Sequence, residues 1–123
     1  MKFDELSNRV IGCAIEVHKQ LGPGLLESTY EQCLAYELNK AGLPFKLQMP
    51  LPVHYKEIKL DCGYRIDILI DDKIIVELKS VEKLLPIHQA QLLTYMKLSH
   101  IKIGLLINFN VRFIKNGIKR MVL

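Results

Sequence analysis

Asp67, Glu77 and Lys79 are the residues whose types and spacing ask most of the structure around them. Two carboxylates brought together repel, and the repulsion is relieved by a shared proton, by basic neighbours, or by a hard divalent cation with oxygen ligands. Mg²⁺ is commonly held by one or two carboxylates plus substrate phosphate, and a nearby lysine can then orient or deprotonate the water that attacks phosphorus. That chemistry is phosphodiester cleavage. The same side chains, with Arg65, could instead form a ladder of cross-strand ion pairs on a solvated face, and spacing alone does not choose.

Whether the acids can meet depends on the elements that carry them. YRIDILI (64–70) and IIVELKS (74–80) flank Asp71-Asp72-Lys73 and read as a hairpin. A two-residue turn pairs Ile70 with Lys73 and sends Asp67 and Glu77 to opposite faces. A three-residue loop pairs Ile70 with Ile74, setting Asp67 across from Glu77, about 5 Å apart at Cβ, and Arg65 across from Lys79. One face is then aliphatic throughout (Ile66, Ile68, Ile70, Ile74, Val76, Leu78), and the other carries Arg65, Asp67, Leu69, Ile75, Glu77 and Lys79. Burial favours this second register, since a slip by one residue would drive unpaired charge into the core.

The remaining elements follow from periodicity. Leu6, Val10, Cys13, Val17 and Leu21 form the apolar stripe of a helix that Gly22-Pro23-Gly24 ends. A second helix runs from about Leu26 to Ala41, stopped by Gly42 and Pro44. Leu51, Val53 and Tyr55 alternate with Pro52, His54 and Lys56 in an edge strand that reverses near Lys56-Glu57. Pro86 opens a third helix to about Leu98, and KIGLLINF (102–109) reads as a buried strand. Asn116-Gly117 marks a last hairpin joining Val111–Lys115 to Ile118–Val122. The order ααβββαββ predicts an α/β (α+β) fold, one domain over residues 1–123, with helices flanking the sheet.

Composition is consistent with this reading. The 123 residues are 50% apolar and 24% charged, enough for one core that buries roughly two-thirds of the extended surface, and this excludes wholesale disorder. The net charge of +4 suits a polyanionic partner without requiring one. Cys13, Cys33 and Cys62 match neither a disulfide framework nor a zinc pattern, and read as buried thiols in a reducing, cytoplasmic compartment. Neither a signal peptide nor a membrane-length apolar run is expected.

Asp67-(x9)-Glu77-Leu78-Lys79 resembles the D…ExK core of the PD-(D/E)XK nuclease superfamily, and Gln91-Leu-Leu-Thr-Tyr95 resembles the QxxxY motif of its recombination-exonuclease branch. Gly24-Leu-Leu-Glu27-Ser-Thr-Tyr30 resembles the signature of the GxxExxY proteins, and the similarity runs from about Val10 to the C-terminus. The resemblance implies a restriction-endonuclease-like core: a helix, a three-stranded antiparallel meander, a helix and a further strand in a mixed sheet. It also implies Mg²⁺ or Mn²⁺, cleavage of nucleic acid with DNA ahead of RNA, and these roles. Asp67 and Glu77 are metal ligands, with the Leu78 carbonyl as a further donor. Lys79 positions the water or stabilises charge on the phosphate, and Glu27 reaches the metal directly or through water. Gln91 and Tyr95, one helical turn apart, hold the lysine or a phosphate. Ile66 stands where the superfamily's name has proline.

Plainer readings stand beside these. Glu27 at a helix start could simply complement the macrodipole. Tyr30 lies on the apolar stripe as a core residue with its hydroxyl toward the site. His18 is either a structural imidazole or an alternative to Glu27 at the metal. Arg65, Lys83, Lys97, Arg112, Lys115, Lys119 and Arg120 are candidate phosphate contacts, while basic hairpins also serve as solvated edges. The runner-up function is a catalytically silent nuclease-fold subunit that binds nucleic acid or protein in a larger assembly. A homodimer is also open, since a small nuclease often pairs to address two strands.

Overall fold

A computed structural model describes residues 4–123. Helix α1 (Glu5–Leu21) starts where the Asp4 carboxylate accepts the Ser7 amide at 2.9 Å and the Ser7 hydroxyl at 2.6 Å. It ends at Gly22, whose φ of 66° would strain a residue with a Cβ. Helix α2 (Glu27–Lys40) follows the Gly-Pro-Gly turn, and α3 (Pro86–Ser99) opens on Pro86. All three helices lie where periodicity puts them. None among the described residues is long and apolar enough to cross a membrane.

The sheet holds more strand than the sequence order foresees. Phe45, Leu47 and Met49 alternate with Lys46, Gln48 and Pro50 in β1 (Phe45–Pro50), which the sequence reading passed over by starting its first strand at Leu51. β2 (Val53–Tyr55) and β3 (Ile58–Leu60) pair across Lys56-Glu57 as a separate hairpin. β4 (Arg65–Ile70), β5 (Ile74–Lys79), β6 (Ile103–Asn108) and β7 (Ile118–Val122) complete a sheet of order β1-β4-β5-β6-β7. The β1, β4 and β5 pairings are antiparallel, as the meander requires, and β5 and β6 run parallel.

The C-terminal hairpin is a correction. Residues after β6 turn through a short 3₁₀ helix (Ile114–Gly117), and β7 pairs with β6 instead of with 111–115. An apolar β6 offers a full ladder, Ile103 to Val122 through Ile107 to Ile118, and that outweighs a local turn. Gly117 packs so closely on the Asn108 carbonyl that a Cβ there would overlap it.

Two cores sandwich the sheet. Val10, Ala14, Val17, Tyr30, Leu34 and Leu38 of α1 and α2 pack on Ile68, Ile70, Ile74, Val76, Leu78, Leu105 and Ile107. On the other face Leu92, Tyr95 and Met96 of α3 pack on Ile66, Leu69, Ile75 and Leu106. Gly104 allows the approach of α3, since a Cβ there would lie 2.7 Å from Met96 Sδ and 2.9 Å from Leu92 Cδ1. β5 is buried on both faces, so the second face of the hairpin is a core face and not the solvated one an ion-pair ladder needs.

Candidate active site

The three-residue register holds: Ile70 pairs with Ile74, Leu69 with Ile75 and Ile68 with Val76. Regular pairing then stops, and side chains take over. The Asp67 amide donates to Glu77 Oε2 at 2.8 Å, and the Leu78 amide donates to Asp67 Oδ2 at 2.9 Å. Arg65 and Lys79 are not paired, correcting that part of the expected ladder. Among the described residues no ion pair involves Arg65, Asp67, Glu77 or Lys79.

The strand next door explains the break. Gln48 of β1 has φ of 52°, and the ladder with β4 runs Leu47 to Ile68 and then Met49 to Ile66, skipping Gln48 and Asp67. Leu47 and Ile68 pack in the first core, whereas Met49 and Ile66 pack in the second. Both strands thus exchange faces at Gln48 and Asp67. Ile66 is therefore not on the aliphatic face with Ile68, a correction that alternation could not foresee.

At this seam a recess of about 130 Å³ opens, lined by Glu27, Ser28 and Glu31 of α2, Gln48, Asp67 and Leu78. Glu27, at the first position of α2, turns to the end of β5, where its Oε2 accepts the Ser80 amide at 3.4 Å. The Ser80 hydroxyl donates to the Leu25 carbonyl at 2.6 Å, tying that strand end to the turn before α2. Gln48 Nε2 donates to Glu31 Oε1 at 2.7 Å and to Asp67 Oδ1 at 3.4 Å.

Glu77 is 5% exposed, and burial beside the Asp67 charge pushes its pKa up to about 8. The Asp67 amide and the Lys79 charge oppose this, and the Glu27 charge adds to it. On α3, Gln91 Nε2 donates to the Tyr95 hydroxyl at 3.2 Å. The Tyr95 pKa is raised by burial and by the Glu77 charge, and its ring belongs to the second core. Tyr95 also meets Tyr64, ring centroids 6.1 Å apart.

Other candidates lie elsewhere or act indirectly. Tyr30 is buried, stacks on Phe109 at 4.4 Å, and braces the turn before Glu27: its hydroxyl donates to the Gly22 carbonyl at 2.6 Å and accepts the Leu25 amide at 3.1 Å. His18 Nε2 lies 2.7 Å from the Val111 carbonyl and does not line the recess. Arg65, Lys83, Lys97, Arg112, Lys115 and Lys119 are exposed. Arg120 is engaged by Asp4 at 2.7 Å. All three cysteines are free, and Cys62 is exposed, correcting its reading as buried.

Glu31 and Gln48 were missed from sequence. Glu31 carried a usable signal, sitting one helical turn after Glu27 on the same face. Gln48 carried only the alternation of the overlooked strand β1.

A family model of the PD-(D/E)XK nuclease superfamily matches residues 4–121. The chain belongs to this superfamily. No curated protein and no solved structure matches it. Membership points to nuclease activity, and PD-(D/E)XK nucleases generally use divalent metals. No group of three or more His, Cys, Asp or Glu among the described residues is gathered tightly enough to hold such an ion as it stands. The chemistry of the donor set nevertheless fits one. The donors around the recess are hard oxygens, burial and then the Asp67 charge raise the Glu77 pKa, and among the described residues no Lys or Arg lies in ion-pair contact with either carboxylate.

Proposed function

We propose that this chain is a Mg²⁺- or Mn²⁺-dependent nuclease that hydrolyses phosphodiester bonds of DNA. The observation carrying the reading is the Asp67–Glu77 seam, where two strands release their ladder and bind each other through carboxylates beside Glu27. Asp67, Glu77 and Glu27 would hold the ion, with Leu78 adjoining. When bound, the ion supplies charge neutralisation for the phosphate and eases deprotonation of the attacking water. The residues do the rest. Backbone amides fix one oxygen each of Asp67 and Glu77, and the second Asp67 oxygen meets the Gln48 amide at 3.4 Å, a long contact that a bound ion would displace. Lys79, free of any carboxylate partner among the described residues, orients the water or neutralises a phosphate oxygen. Gln91 holds the Tyr95 hydroxyl at the edge of the site. The cytoplasm is the proposed compartment, supported by the three unpaired thiols. A single domain is proposed for the whole chain, supported by the extent of the family match.

A second reading, a subunit that keeps the fold and binds nucleic acid without cutting it, is favoured by Gln48. Its amide bridges Glu31 and Asp67, a cation's task performed by a neutral donor. Calorimetric titration of Mg²⁺ and Mn²⁺ into wild type and Asp67→Ala, paired with cleavage of plasmid, DNA and RNA oligonucleotides, separates the two. The nuclease reading expects metal binding and DNA cleavage in wild type, with cleavage lost in Asp67→Ala and Lys79→Ala. Cleavage by wild type no greater than by those variants would leave the silent subunit.

A further inference from the structure

Between α3 and the β2–β3 hairpin runs a groove of about 480 Å³ that the catalytic reading touches only through Gln91 and Tyr95. Its walls are apolar and aromatic: Val53, Tyr64, Ile87, Leu98 and the ring of Tyr95. Ile87 is 66% exposed and Tyr64 44%, so both present surface that water covers poorly. Polar groups stand among them at one side. His88 Nδ1 accepts the Leu85 amide at 3.0 Å, which leaves its Nε2 to carry a proton and donate. Gln91 gives one amide hydrogen to Tyr95, and its carbonyl oxygen accepts no hydrogen bond among the described residues. No acid lines the groove. The exposed Arg65 follows Tyr64 directly in sequence and donates to the Gln48 carbonyl at 3.4 Å, so it stands between groove and recess.

An exposed tyrosine ring, an adjacent donor and acceptor, and a cationic margin suit a planar heterocycle attached to an anionic backbone. Groove and recess meet along the chain at the start of β4: Tyr64 lines the groove, and Arg65 beside it donates to the carbonyl of Gln48, which lines the recess. We propose that this groove receives an unpaired base of the nucleic-acid strand whose backbone lies at the Asp67–Glu77 seam, stacked against the exposed ring of Tyr64. The inference rests on the nuclease reading and adds to it a substrate class: strands with an unstacked base next to the cut. Fully paired duplex offers no such base without unstacking.

The test uses oligonucleotides carrying 2-aminopurine, whose fluorescence falls when it stacks, bound to the full chain in EDTA so that nothing is cut. Wild type is expected to quench the probe. Tyr64→Leu and Ile87→Ser, both at exposed positions, should lose the quenching. Tyr64→Leu should bind about tenfold more weakly, the change expected on losing one base–aromatic stack. An oligonucleotide abasic at that position should bind wild type as weakly as the intact one binds Tyr64→Leu, with no further loss when both changes are combined. Equal quenching and affinity across these pairs overturns the inference. So does a wild-type dimer, seen by sedimentation, that Ile87→Ser dissociates while the probe response stays unchanged, since the groove is then a protein interface. Metal-dependent cleavage by wild type and its loss in Asp67→Ala are measured in parallel. Cleavage without quenching sinks the groove alone, and quenching without cleavage sinks the hydrolytic reading alone.

Discussion

Glu77 concentrates the electrostatic cost of the site in one carboxyl. Its pKa in the folded chain is about 8 against an ordinary 4.5, so the folded state binds the proton more tightly than the unfolded one. Its contribution to stability is therefore complete below about pH 4.5 and is lost as pH rises through 8. Thermal melts of the metal-free protein in EDTA should show Tm falling over that window, and Glu77→Gln should flatten the fall. A divalent ion that binds the folded chain should raise Tm most at the alkaline end, where the carboxyl is charged. Asp67 and Glu77 were legible as partners because aliphatic alternation and loop length fix one register. Their bonds to each other's strand were not legible, because a carboxylate that replaces a ladder bond leaves no trace in residue type.

At the scale of elements, small contacts decide where the candidate site's side chains stand. Asn108, buried at the end of β6, accepts the Val81 amide at 3.1 Å and the Asn110 amide at 3.2 Å, and donates to the Val81 carbonyl at 2.9 Å. Asn108→Leu should lower the free energy of unfolding in urea by about 1–3 kcal/mol by stranding those backbone groups. Because Val81 lies two residues beyond Lys79, kcat should fall as well. Gly104→Val should push α3 outward, costing about 1–3 kcal/mol by overpacking. Cleavage and the chain's tyrosine fluorescence, to which Tyr95 contributes, should change together. The helices were readable because each has a stripe and a stop, such as Gly22 or Pro86. β1 and the exchange of faces at Gln48 were not, since a non-glycine residue at φ of 52° is imposed by neighbouring strands and not by its own preference. The final turn misled for a related reason: Asn116-Gly117 is a local hairpin signal, and long-range pairing of β7 with β6 overrides it.

Across the whole molecule, Asp4 and Arg120 join the start of α1 to the last strand. Burial works to raise the Asp4 pKa, but hydrogen bonds from the Ser7 hydroxyl and amide and from Arg120 outweigh it and hold the carboxyl well below the usual range. A lowered folded pKa stabilises above the ordinary value of 3.8 and loses that contribution as pH falls. Asp4→Ala should therefore cost about 0.5–2 kcal/mol at neutral pH, chiefly through the lost cap, and the deficit should shrink in acid melts. The β2–β3 hairpin has the opposite standing. The Leu51 amide donates to the Tyr64 carbonyl at 2.9 Å, and Pro50 already pairs with Arg65, so the excursion is closed at its base before it begins. Residues 52–63 form in effect a detachable cassette. Replacing them with a tight turn should leave the β1–β4 ladder and the acidic seam standing while removing one wall of the groove. A lineage, or an engineer, could exchange that cassette to reshape the groove without rebuilding the acidic seam.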